Sequence, residues 1–219
     1  MKILALEFSS ETRSVAVVEA GRVAGRAAES GGRSTRAFAL IDAALREAGW
    51  EREAIECLAV GLGPGSYTGI RAAIALAQGW QLARPVRVLG VGSVECLAAQ
   101  AHGEGIHGVA HFLIDAQRGE FYYARAELAE TATSVEALRI IGQEEARSLL
   151  AGTLVVEPAL LHLFPNARVL CPDAAALGQL ASARSDFVSA EKLEPVYLRP
   201  AQFVKAPPPR VIPSGQLGL

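Results

Sequence analysis

GLGPGSYTGIR, residues 61–71, carries four glycines and one proline within nine positions, directly after the apolar run Cys57-Leu58-Ala59-Val60. A glycine-rich turn between a strand and a helix is a common place to hold phosphate. The stretch fails each template for that chemistry. A Walker loop needs glycine, four residues, then Gly-Lys-Ser/Thr. Counting from Gly61, Gly63 and Gly65, the required glycine falls on Ser66, Thr68 and Ile70, and no lysine lies between Lys2 and Lys192. The dinucleotide pattern Gly-x-Gly-x-x-Gly ends on Ser66 or Thr68 instead of glycine. A nucleophile elbow needs glycine two residues either side of its serine, and Ser66 has Pro64 and Thr68 there. After the turn, helical spacing runs from about Thr68 to Leu82, with small Gly69, Ala72, Ala73, Ala75, Ala77 and Gly79 beside large Ile70, Ile74 and Trp80. Small residues at this spacing admit a second helix closely. The partner is the helix over 37–48 or its equivalent in another subunit. Packing into the chain's own core is the alternative.

Working outward, Ile3-Leu4-Ala5-Leu6 reads as a buried strand that ends at Glu7, followed by a polar turn, Ser9-Ser10-Glu11-Thr12. Val15–Val18 and Arg22–Ala28 complete a meander. Ser34 is the expected N-cap of a helix whose apolar face is Ala37, Phe38, Leu40, Ile41, Ala44, Leu45 and Ala48, ended by Gly49. Ile55–Val60 and Val86–Val91 read as strands, and Val94–Ala101 as a helix. Gly103 and Gly105 mark a joint. Beyond it, His111–Asp115, a turn at 116–119 and a returning strand, Glu120–Arg125, repeat the opening pattern of strand, carboxylate and hairpin. Helices are expected at Glu144–Leu150 and Ala174–Ala183, and a strand at Thr153–Val156. The tail holds Pro207-Pro208-Pro209 and reads as extended or mobile. The fold class is α/β, with mixed sheets and flanking helices in two lobes, residues 1–102 and 103–200, then a tail over 201–219.

Composition narrows the function. The chain has 219 residues, 51% hydrophobic and 20% charged, with a formal charge of −2. So neutral a chain has no electrostatic footprint for binding nucleic acid alone. Three scattered cysteines argue against disulfides or a zinc knuckle and favour a reducing compartment. The apolar N-terminal run is too short for a secretion signal, and no run approaches the roughly 20 residues of a membrane span. A soluble, cytoplasmic protein is expected.

The opening Met1–Ser10, Gly61–Arg71, Ile114-Asp115-Ala116-Gln117-Arg118-Gly119-Glu120 and Glu194-Pro195-Val196-Tyr197-Leu198-Arg199 together resemble the bacterial TsaB (YeaZ) family over roughly residues 1–200. The resemblance implies an actin-like ATPase (ASKHA) fold with two RNase H-like lobes. It implies a non-catalytic, activating partner of the related subunit TsaD. With TsaE, the two complete threonylcarbamoyladenosine synthesis beside the tRNA anticodon. It further implies pairing with TsaD, or with a second copy, through the first two helices. The expected interface residues are Phe38, Ile41, Leu45, Gly69, Ile70, Ala73, Ile74 and Ala77. TsaD-like chains place two histidines one helical turn apart after the next strand, where they bind a metal. The matching stretch here is Gly90-Val91-Gly92-Ser93-Val94-Glu95-Cys96-Leu97, with no histidine. No catalytic residue and no metal ligand are therefore assigned.

His107 and His111 are four apart, but the surrounding glycines and the run into Asp115 argue for a strand. Four strand residues span about 13 Å, too far to share one ion. In actin-like ATPases the first strand-tip acid holds magnesium through water, beside a phosphate-contacting turn. Glu7, Ser9 and Ser10 stand there, making them weak nucleotide candidates. The family usually has Asp where this chain has Glu7. The extra methylene disturbs the strict magnesium shell. Asp115 and Glu120 serve equally as turn-supporting groups. ATP or ADP is expected, if at all, in the complex with TsaD and TsaE. The alternative function is a stand-alone small-molecule kinase or hydrolase on the same fold.

Overall fold

The computed structural model describes residues 1–30, 36–129, 133–149 and 152–198. The first sheet is built from β1 (Lys2–Glu7), β2 (Thr12–Glu19), β3 (Arg22–Ser30), β4 (Cys57–Gly61) and β5 (Arg87–Val91), with α1 (Ala37–Ala48) and α2 (Tyr67–Ala83) in the connections. Its strand order is β3-β2-β1-β4-β5. β1 pairs antiparallel with β2 and parallel with β4. Both central strands are covered on two faces, which is why they read as unbroken apolar runs rather than as alternation. Leu4, Leu6, Leu58 and Val60 point to the face covered by α1 and α2. Ile3, Ala5, Cys57 and Ala59 point to the other.

After α3 (Ser93–Gly103), the second sheet comprises β6 (Gly108–Asp115), β7 (Glu120–Leu128), β8 (Thr133–Val135), β9 (Arg139–Gly142), β10 (Thr153–Val156) and β11 (Arg168–Val169). Short α4 (Gln143–Arg147) lies between β9 and β10. The order is β11-β10-β6-β7-β8, and β9 also pairs with β7. Antiparallel β6–β7 and parallel β6–β10 repeat the first sheet strand for strand. The echo of strand, carboxylate and hairpin in the sequence is thus a repeated topology, with β8 and β9 sharing the place of the third strand.

The helices cross between the sheets. Val94, Leu97, Ala98 and Ala101 of α3 pack on the second sheet with Phe112, Ile114 and Ala126. The helix α5 (Ala174–Ser182) returns to the first sheet, where Ala174, Leu177 and Ala181 meet Ile3, Ala16 and Val18. A Cβ on Gly178 would overlap the Val18 side chain, so glycine sets the depth of that contact. The chain then runs along the same lobe. Val188 donates to the Val88 carbonyl (2.8 Å) and Val196 to that of Leu62 (2.9 Å). A division at 102/103 therefore separates the strands but not the layers. The hydrophobic pattern of α5 gave no sign of which sheet it covers.

Local departures from expectation are small. Gly49 ends α1 in the left-handed conformation, φ 67°. Ser34 lies outside the described residues, as does the tail over 201–219. Arg36 stands at the N-cap of α1 with no side-chain cap bond, and its guanidinium instead pairs with Glu29 at 3.2 Å.

Candidate docking face and interlobe cleft

The glycine stretch is closed by the chain itself. Oε1 of Glu7 accepts the Ser9 amide at 2.7 Å, and the whole side chain is buried against β4. A Cβ on Gly61 would overlap its carboxyl. Beyond the turn, a Cβ on Gly65 would overlap the Ser9 carbonyl, and one on Gly69 the Phe8 carbonyl. The Ser66 amide is spent on the Ser9 carbonyl, and the Ser66 hydroxyl caps α2 by accepting from Gly69 at 3.3 Å. These glycines admit the backbone that follows β1.

The weak nucleotide candidates Glu7, Ser9 and Ser10 are turned into the chain. Ser9 and Ser10 are buried. Ser9 Oγ pairs with the Ser93 hydroxyl (2.8 Å), and Ser10 Oγ donates to the Thr12 carbonyl (2.7 Å). Burial pushes the Glu7 carboxyl up to about 7, and the Ser9 hydrogen bonds offset only part of that. Its Oε2 is buried with no hydrogen-bond partner. A carboxyl held this way favours its proton and does not face the cleft.

The cleft between the lobes encloses about 540 Å³. Glu11, Ser66 and Tyr67 line it from one side, and Asp115, Gln117 and Glu157 from the other. Asp115 supports its own hairpin, accepting from the Gln117 amide (2.7 Å) and side chain (2.9 Å). Glu157 accepts the Asp115 amide at 2.6 Å, and burial raises its pKa. The sequence reading missed Glu157. Its signal was available: Val155-Val156-Glu157 is a third apolar strand tipped by a carboxylate, after Leu6-Glu7 and Ile114-Asp115. Three carboxylates and no cationic side chain among the lining residues make the cleft inhospitable to phosphate.

The expected interface residues separate sharply. Ile41, Leu45, Gly69, Ile70, Ala73, Ile74 and Ala77 are buried within the chain, whereas Phe38 is 62% exposed. The large residues face the sheet because that stripe of α2 is the core stripe. The outward face of α2 carries Tyr67, Thr68, Arg71, Ala75, Gly79, Leu82 and Ala83, with Ala72 half-buried. Phe38 of α1 stands beside it, so that Phe38, Ala75 and Leu76 line two adjoining apolar hollows. The small-residue pattern was legible in the sequence, but which half of it faces outward was not.

A family model described as "TsaD: tRNA N6-adenosine threonylcarbamoyltransferase" matches residues 30–176. The tRNA threonylcarbamoyladenosine biosynthesis protein TsaB of Escherichia coli K12 is 29% identical over 221 residues, covering 91% of this chain and 95% of that one. The protein of the same name from Bacillus subtilis is 31% identical over 126 residues, covering 56% of this chain and 53% of that one. A solved structure, YeaZ from Pseudomonas aeruginosa, superposes with a TM-score of 0.77 at 28% identity, covering 90% of this chain and 99% of that one. The chain belongs to the TsaB (YeaZ) family. Its two lobes repeat one topology. Within that family, the glycine motif of this chain is an internal cradle, and an accessible apolar surface lies on α1 and α2. No helix among the described residues is long and apolar enough to cross a membrane.

Proposed function

We propose that this chain is a non-catalytic partner subunit of a TsaD-type threonylcarbamoyltransferase, acting with TsaE-type and TsaD-type proteins in threonylcarbamoyladenosine modification of tRNA. The observation that carries the proposal is the outward face of α1 and α2: exposed Phe38 beside a helix stripe of Ala75, Gly79 and Ala83. Small residues let a partner helix approach closely. The match to the TsaD family model supports a partner related to this chain. A relative of the same fold can present an equivalent helix pair, giving a near-symmetric, helix-to-helix contact. The same face serves a homodimer when the partner is absent.

The internal chemistry supports a non-catalytic role. Ser93 and Leu97 stand where TsaD-like chains carry metal-binding histidines; Ser93 is hydrogen-bonded to Ser9 and Leu97 packs in the second lobe's core. A stand-alone kinase or hydrolase would need phosphate in the cleft, against Glu11, Asp115 and Glu157. Nucleotide binding and tRNA contact are assigned to the complex, consistent with this chain's net charge of −2. The test is an exposed substitution, Ala75→Arg, assayed for binding to the TsaD homologue of the same organism. Loss of at least tenfold in affinity with unchanged circular dichroism is expected. Unchanged affinity would remove the proposed face.

A further inference from the structure

We propose that Arg71 anchors the partner of the α1–α2 face by receiving a carboxylate from it; the inference rests on the proposed function and names the chemistry the partner brings. Three adjoining hollows run along the outward face of α2 and share Ala75. Four arginines line them: Arg36, Arg52, Arg84 and Arg71. Three are neutralised within the chain. Arg36 pairs with Glu29 at 3.2 Å, Arg52 with Asp42, and Arg84 with Glu53 at 3.8 Å. Arg71 alone of the four has no carboxylate partner among the described residues, although Glu194 lines the same hollow.

Two tyrosines hold the Arg71 guanidinium in place instead. Its Nη1 donates to the Tyr67 hydroxyl at 2.7 Å, and its central carbon lies 5.0 Å from the centre of the Tyr67 ring. The four-residue spacing puts the two side chains on one face of α2. The Tyr197 hydroxyl also faces the guanidinium, and the two tyrosine rings pack with centroids 6.1 Å apart. Both rings stay more than half exposed, Tyr67 at 59% and Tyr197 at 53%. A phenol is neutral at pH 7, so the pair orients the cation without cancelling its charge. A guanidinium carries five N–H donors in a planar fork, and two phenol oxygens leave donors open. A carboxylate is the group that matches such a fork, with two parallel hydrogen bonds. An arginine already ordered by its neighbours loses less freedom when it binds.

The same charge pattern favours a different chain over a second copy. A two-fold contact sets equivalent patches against each other. A second copy would therefore bring its own unpaired Arg71 to the face, whereas a TsaD-type relative is free to carry Asp or Glu there. The face is thus selective for the partner by charge, on top of the close helix approach that Ala75 and Gly79 allow.

The test measures affinity of the full chain for the TsaD homologue of the same organism by isothermal titration, at 50 and 500 mM sodium chloride. Arg71→Gln, with an unchanged melting temperature, should bind at least fivefold more weakly than wild type at low salt. At high salt, where the pair is screened, the two should converge to within about twofold. The Arg71→Lys variant, treated with a carbodiimide in the complex, should form an amide to an Asp or Glu of the TsaD homologue, mapped by mass spectrometry. Equal affinity at low salt would overturn the proposal, and so would a deficit that persists unchanged at high salt. A cross-link from position 71 only to Glu194 or to a second copy would do the same. If Ala75→Arg abolishes binding while Arg71→Gln matches wild type, only this inference fails. If wild type binds no TsaD homologue at either salt concentration, the proposed function fails and this inference falls with it.

Discussion

Glu7 shows how one buried residue sets a pH dependence. Its carboxyl is pushed up from 4.5 to about 7 by burial. A carboxyl whose pKa rises on folding holds its proton more tightly in the native state. Its contribution to stability is therefore full below pH 4.5 and is lost as pH rises to about 7. The effect is on the order of 3 kcal/mol. Urea unfolding should show the wild type losing stability across that window and Glu7→Gln losing much less; equal slopes would contradict this origin. The glycines make a matched pair of predictions. Gly69→Ala should destabilise by about 1–3 kcal/mol, because its Cβ overlaps the Phe8 carbonyl. Gly79→Ala should stabilise by up to about 1 kcal/mol, since the helix gains alanine's propensity in open space. Thermal melts of the two variants read the contrast, and a shift of the same sign in both would refute it. The sequence put Gly65 in the turn and Gly69 on a small helix face, but did not show that both must clear the backbone after β1. The strand-to-helix turn is local, whereas the carbonyls it must clear belong to residues more than fifty positions earlier.

At the scale of elements, helices and strands were legible because their periods are local. β1, β4 and β5 read as apolar runs, and α1 and α2 as stripes. What periodicity does not carry is orientation within the fold. Ile74 and Leu45 look like contact residues on a helical wheel and are core residues in the molecule. Glutamate at either would bury an unpaired charge, costing about 3 kcal/mol or more. Ile74→Glu and Leu45→Glu should therefore lose cooperative unfolding by circular dichroism, and a folded, partner-deficient Leu45→Glu would contradict that placement. The short β8, β9 and β11 escaped notice because strands of two to four residues hold too little pattern to read.

At the scale of the molecule, two copies of one topology enclose an acidic cleft and expose a helix-pair face. The duplicated hairpins could be read from the sequence. The return of α5 to the first sheet and the convergence of Glu11, Asp115 and Glu157 could not, because both depend on how distant segments meet. Isothermal titration of the isolated chain with magnesium–ATP should give no micromolar binding, and tight binding would favour the enzyme reading. In the proposed assembly, α1 and α2 form a docking face for a TsaD-type partner. The most direct test is mass measurement by light scattering of the full chain mixed with the TsaD homologue of the same organism, as wild type and as Ala75→Arg. The wild type should form a complex and the variant, folded and equally stable, should elute apart from the partner. A variant that still forms the complex in full would contradict the account.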